Sequence, residues 1–147
     1  MVKLNKRNKR LMLLASICFI FIMTMFPNRY LGIGIEPGGH NFVPFLMIKE
    51  MFVERSVFTF IVNNIGNIAL FMPFGFFLPL ALPRFNQFIL CTAVGCCLSA
   101  AIESIQWFME YRWSDVDDLI LNTVGTMAGF GLYKAVKKAA DSISISV

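Results

Sequence analysis

NQFILCTAVGCCLSAAIESIQWFM, residues 86–109, carries no charge from Asn86 to Ile102 and meets its first at Glu103. About 20 predominantly apolar residues are enough to cross the hydrocarbon layer of a bilayer as a helix. A helix on the surface of a soluble domain is apolar on one stripe only. The stretch is apolar all round, so it predicts a transmembrane helix with one acid near its far end.

The same reading extends outward from it. Residues 57–82 form a second apolar run, whose polar members are Asn63, Asn64 and Asn67 and whose interruptions are Pro73, Gly75 and Pro79. A proline in lipid frees a backbone carbonyl that a neighbour must satisfy, so this span is expected to be kinked or tilted. Residues 116–136 form another, opening with Asp117 and Asp118, where negative charge suits a helix N-terminus, and closing at Lys134, Lys137 and Lys138. Residues 11–27 are uncharged and follow Lys3, Lys6, Arg7, Lys9 and Arg10. A secretory leader would end in a small-x-small cleavage site. The bulky Phe26-Pro27-Asn28-Arg29-Tyr30 follows instead, which points to an uncleaved first span.

Between the first two spans lie residues 28–56. They begin with the turn-formers Gly32, Gly34, Pro37, Gly38 and Gly39. An apolar piece then runs to Val53, with Phe42, Phe45, Ile48 and Phe52 spaced for one helical face. About a dozen residues are too few to span, so an interfacial or re-entrant helix is expected over 42–53. The tail from Ala139 to Val147 is expected to lack regular structure. The fold expected is all-α: a polytopic membrane protein of four transmembrane helices, at about 11–27, 57–82, 86–109 and 116–136, in a single membrane domain over 1–147.

Composition agrees. Apolar residues make up 57% and charged residues 15%, against roughly 25% charged in soluble domains. The net charge of +4 does not imply nucleic acid. Its cations sit at the tips of apolar runs, whereas a nucleic-acid site needs a basic face. Cys18, Cys91, Cys96 and Cys97 lie within apolar runs and read as free, packed thiols. No metal or other cofactor is expected.

The cations also orient the chain. With the N-terminus in the cytoplasm, Lys3, Lys6, Arg7, Lys9, Arg10, Arg84, Lys134, Lys137 and Lys138 fall inside, and Arg29, Lys49, Arg55 and Arg112 fall outside. Nine of 13 on one side fits the positive-inside rule. Both termini are therefore expected to be cytoplasmic.

Polar groups within a span are costly and usually face protein or a water-filled cavity. In this threading Asn63 and Asn67, Glu103 and Gln106, and Asp118 and Asn122 all reach the outer side. Each pair can share a helix face, and Gly125 and Gly129 continue the last stripe. Three polar stripes are expected to converge on an outward pocket. Simpler roles compete: asparagines bonding between helices, Gly125-x-x-x-Gly129 as a packing seam, and Asp115, Asp117 and Asp118 as solvated caps. His40 reads as a surface histidine. Trp107, Tyr111 and Trp113 fit an interfacial aromatic belt.

Four blocks, in order, resemble the VanZ-like family: Asn41-Phe42-Val43-Pro44-Phe45, Asn64 to Gly75, Ile102-Glu103-Ser104-Ile105-Gln106, and Arg112 to Gly125. The resemblance covers roughly residues 41–134. The resemblance implies a small bacterial membrane protein, related to one linked with resistance to teicoplanin, a lipid-tailed glycopeptide. It implies functional roles for Asn67, Glu103, Gln106, Arg112, Asp115, Asp118 and Asn122. Tyr111 stands where a glycine would be expected. Family likeness supplies no reaction.

Asn63, Asn67, Glu103, Gln106, Arg112, Asp115, Asp118 and Asn122 are therefore the candidate binding residues. Phe42, Phe45, Phe52, Phe71 and Phe74 are expected to frame the pocket. The partners expected are membrane lipids, a lipid-linked cell-wall precursor or a lipoglycopeptide. The alternative is a membrane enzyme acting on a lipid or wall component. Glu103 would then be its acid or base, Arg112 would hold an anionic head group, and Asp115 or Asp118 would orient a partner or hold a metal. A transporter or channel is a third reading, thinly supported by one off-centre acid.

Overall fold

The computed structural model describes residues 5–28, 30–31, 37–54 and 57–145. Of the sequence expectations, those on Lys3, Arg29, Gly32, Gly34 and Arg55 lie outside the described residues. Among the described residues, six α-helices carry the fold: α1 (Lys6–Met25), α2 (Leu46–Glu54), α3 (Val57–Phe60), α4 (Gly66–Ala81), α5 (Phe88–Gln106) and α6 (Val116–Ile145). Two short strands, β1 (His40–Asn41) and β2 (Ser114–Asp115), pair in parallel, His40 opposite Ser114 and Asn41 opposite Asp115.

Among the described residues, three helices are long and apolar enough to cross a membrane: Lys6–Met25, Ile61–Ala81 and Phe88–Gln106. The second crosses a turn wider than α, Ile61–Ile65, which holds Asn63 and Asn64 and runs into α4 without a break. Single π-type turns of this kind are rare and often mark functional positions. Pro73 and Pro79 both lie inside α4, which continues through them.

The fourth long helix, α6, is less apolar, and its position explains why. It packs along both α4 and α5. Gly75 of α4 meets the Thr126 carbonyl, and Gly125 and Gly129 of α6 meet the carbonyls of Ile68 and Met72. A Cβ on any of the three would collide with backbone. Small residues that let backbones touch are how helices associate in lipid. A helix that faces neighbours needs less apolar surface than one that faces lipid. The core lies around the α4 side of this seam, in Leu13, Ile20, Phe71, Phe74, Leu78, Cys91, Ile102 and Phe130.

Contacts fix the relative directions. Met23 and Phe26 at the end of α1, Asn67 at the start of α4, Glu103 at the end of α5 and Asp118 at the start of α6 all join one polar network. Lys134 near the other end of α6 donates to the Asn86 carbonyl just before α5 (3.5 Å). The four long helices therefore alternate in direction, with a polar end and a basic end.

Three expectations need correction. The tail was expected to lack structure, but α6 continues to Ile145. The aromatic face proposed over 42–53 does not form, because α2 starts only at Leu46. Phe45 before it has φ 65°, a left-handed conformation that turns the chain. Phe71 and Phe74, expected to frame the pocket, are buried in the core and line neither of the two cavities described below.

Candidate functional site

The polar end is organised around the start of α6. Asp115 sits immediately before the helix, and its Oδ1 accepts from the Asp117 amide at 2.9 Å, an N-cap bond. The same oxygen accepts from Asn41 Nδ2 at 2.7 Å, and Asn41 Oδ1 accepts from the Val43 amide at 3.0 Å. The Asp115 amide in turn donates to Glu103 Oε2 at 2.8 Å. One carboxylate thus caps α6, and a second, from the last turn of α5, holds the capping residue. Unpaired amides at a helix N-terminus carry partial positive charge. This is the physical reason that Glu103, Asp115, Asp117 and Asp118 can gather here.

Asp117 reaches the other way. Its Oδ1 accepts from the Phe45 amide and its Oδ2 from the Ile48 amide at 3.2 Å. Those are first-turn donors of α2, whose own sequence offers no capping side chain. The cap of α2 comes from α6, and it ties the 37–54 segment to the bundle. Backbone bonds complete the tie: the Gly38 amide donates to the Glu110 carbonyl (2.7 Å) and the Ser114 amide to the Gly39 carbonyl (3.0 Å).

The sequence-selected residues do not all meet at one point. Asn67 Nδ2 donates to Asp118 Oδ1, joining α4 to α6. Asn122 Nδ2 donates to Ser99 Oγ (2.9 Å) deeper between α5 and α6, where Asn122 is 2% exposed. Gln106 faces α1, donating to the Thr24 carbonyl at 2.9 Å. Asn63 is half-buried in the π-type turn. Arg112 is 7% exposed, and its Nη2 donates to the carbonyls of Met23 (3.1 Å) and Phe26. A guanidinium on the last carbonyls of a helix satisfies groups the helix cannot, and suits its dipole. Burial lowers the Arg112 pKa and the Asp118 charge opposes that. Burial pushes the Asp115 carboxyl above its ordinary value, the bonds from the Asp117 amide and Asn41 pull it back, and the Asp117 charge raises it again.

Glu103 and Asp115 border a cavity of about 420 Å³ between α5 and the start of α6. Its other walls include Phe42, Trp107, Phe108 and Leu119. His40 stacks on Trp107 with ring centroids 4.0 Å apart, and Phe42 leans on the same ring at 5.2 Å. A second cavity of about 310 Å³ lies beyond, lined by Met25, Pro27, Met109, Glu110, Tyr111 and Arg112. Among the described residues, no group of three or more acids, histidines or cysteines is placed to hold a metal ion.

Asn41, Ser99 and Asp117 were missed as site residues. Asn41 and Asp117 stood in quoted blocks but looked like turn and cap residues. Ser99 gave no signal, because a serine in an apolar helix costs little.

A bundle of apolar helices with acids gathered at one end defines a helical membrane protein. The chain belongs to the VanZ/LLP1 family, whose model matches residues 11–137. A search of curated proteins and one of solved structures found no match to the chain.

Proposed function

We propose that this VanZ-related protein holds an amphipathic or lipid-linked molecule at the outer face of the bacterial cytoplasmic membrane and so contributes to resistance to teicoplanin-type drugs. The observation that carries this is the cavity beside Glu103 and Asp115. It has a carboxyl floor at the polar end of the bundle and a rim of exposed aromatic rings (Phe42, Trp107, Phe108). Apolar walls with a few placed polar groups are what a ligand site requires. Aromatic side chains also concentrate at the membrane–water boundary.

The orientation follows from charge. Lys6, Arg7, Lys9, Arg10, Arg84, Lys134, Lys137 and Lys138 all belong to the basic end. Positive ends stay in the cytoplasm, which makes the polar end external and both termini internal. In this reading α6 is the fourth crossing, shielded by α4 and α5, and α2 lies in the outer interface.

The test is drug susceptibility in a Gram-positive host, teicoplanin against vancomycin, for wild type, Glu103→Ala and Asp118→Ala at matched membrane abundance. Wild type is expected to protect against teicoplanin only, and both variants to lose protection. Equal protection by the variants would reduce the polar end to helix packing. The Glu103 carboxyl on the cavity also favours a second reading, an enzyme using it as acid or base. Mass spectrometry of envelope lipids then shows a product that disappears in Glu103→Ala.

A further inference from the structure

The cavity's floor has a definite chemistry. Glu103 is buried, 9% exposed as a residue, yet it borders the cavity together with Asp115. Its Oε2 accepts from the Asp115 amide, and Asp115 Oδ1 is taken by Asn41 and Asp117. The remaining oxygens, Glu103 Oε1 and Asp115 Oδ2, accept no hydrogen bond among the described residues. Each of the two lining acids thus has one oxygen without a donor among the described residues.

Arg112 lines the other cavity and spends Nη2 on the end of α1. Among the described residues no lysine or arginine lines the cavity, and His40 is stacked flat on Trp107. The α6 N-terminus contributes about half a positive charge, fewer than the acids around it. Its walls include the aromatic residues Phe42, Trp107 and Phe108. Aromatic walls above a carboxylate floor are the arrangement that attracts an organic ammonium group, through ring quadrupoles and charge-assisted hydrogen bonds. A phosphate would meet carboxylates there instead.

We infer that the occupant is an amphiphile of the outer leaflet whose head carries a primary ammonium group. The ammonium sits on Glu103 Oε1 and Asp115 Oδ2, and the chain leaves past Phe108, which is 86% exposed. This rests on the binding function proposed above and adds the charge of the head group, which that proposal left open.

The test uses the fluorescence of Trp107, the tryptophan on the cavity wall. The full chain carrying Trp113→Phe is placed in phosphatidylcholine nanodiscs. It is titrated with octadecylamine, octadecanol and octadecyl phosphate, each brominated on the same chain carbons so that contact quenches the indole. The amine is expected to half-quench at roughly one-tenth the concentration the alcohol needs, a gap typical of a charge-assisted contact, and the phosphate to need no less than the alcohol. Glu103→Gln keeps an acceptor for the Asp115 amide, so the fold is retained, and is expected to bring the amine back to the alcohol's value. Phe108→Ala, on the exposed wall, should weaken all three probes alike. Equal quenching by the three overturns the head-group inference and leaves amphiphile binding standing. A preference for phosphate overturns it too and directs attention to Arg112. An amine preference unaffected by Glu103→Gln overturns the assigned floor. No quenching by any probe removes the binding function itself.

Discussion

Asp115 does three things. It caps α6, it clamps Asn41 of β1, and its amide engages Glu103. Burial raises its pKa above the ordinary aspartate value, which is about 3.9. Only between the unfolded and the folded value does the folded state hold a proton that the unfolded chain has released. The stability this confers is fully present below the unfolded value and is lost as pH rises through the folded one. Asp115→Asn keeps an Oδ1 for both hydrogen bonds and cannot titrate. Its melting temperature in detergent, minus that of wild type, should grow more positive as pH climbs from about 4. A difference that stays constant with pH would mean Asp115 titrates normally. At this scale much was legible in the sequence. Asn67, Glu103, Asp115 and Asp118 stand out because polar groups in apolar surroundings are expensive, and the structure brings them to one end of the bundle. The turn of Arg112 toward α1 was not legible. Its partners are the carbonyls of Met23 and Phe26, and every residue has a carbonyl, so no pattern announces them.

The elements are held by backbone contact more than by side-chain bulk. Gly75, Gly125 and Gly129 interleave along α4 and α6, each against a carbonyl of the facing helix. The spacing of Gly125 and Gly129 announced a seam, and the seam is there. Gly129→Val puts a branched side chain where the Met72 carbonyl stands. Overpacking of this kind costs roughly 1–3 kcal/mol, and the backbone here cannot yield as a side-chain tip would. The expected result is a lower melting temperature in detergent, together with loss of whatever protection wild type gives. Gly131 has open space around it, so Gly131→Ala should leave both unchanged. Equal effects of the two substitutions would show that the seam is not where stability resides. Two features at this scale were hidden. The cap of α2 comes from Asp117, some 70 residues along the chain, so no local motif could reveal it. The π-type turn at Ile61–Ile65 leaves the apolar pattern unchanged, and an apolar pattern is all a span shows.

Across the whole molecule, charge and polarity separate along the helix axes. The acids cluster where α5 ends and α6 begins, and lysines gather where α6 approaches its far end. That separation was readable from the sequence, because topology is written in where lysine and arginine fall. The depth of α6 was not, because its hydropathy reflects helix neighbours as much as lipid. The proposed crossing is open to a direct check. In a chain with its four cysteines replaced by alanine or serine, Tyr111→Cys and Lys138→Cys each provide one exposed thiol, at opposite ends. Four crossings with internal termini predict that a membrane-impermeant maleimide labels position 111 in intact cells and position 138 only after permeabilisation. If α6 lay along the interface without crossing, both thiols would be on the outer side and both would label in intact cells. The cavity would then lose its membrane depth, because α5 would end beside a surface helix. Glu103 and Asp115 would face bulk water, and an aromatic rim would have no lipid to open onto. The topology of α6 and the ligand chemistry of the cavity therefore stand together.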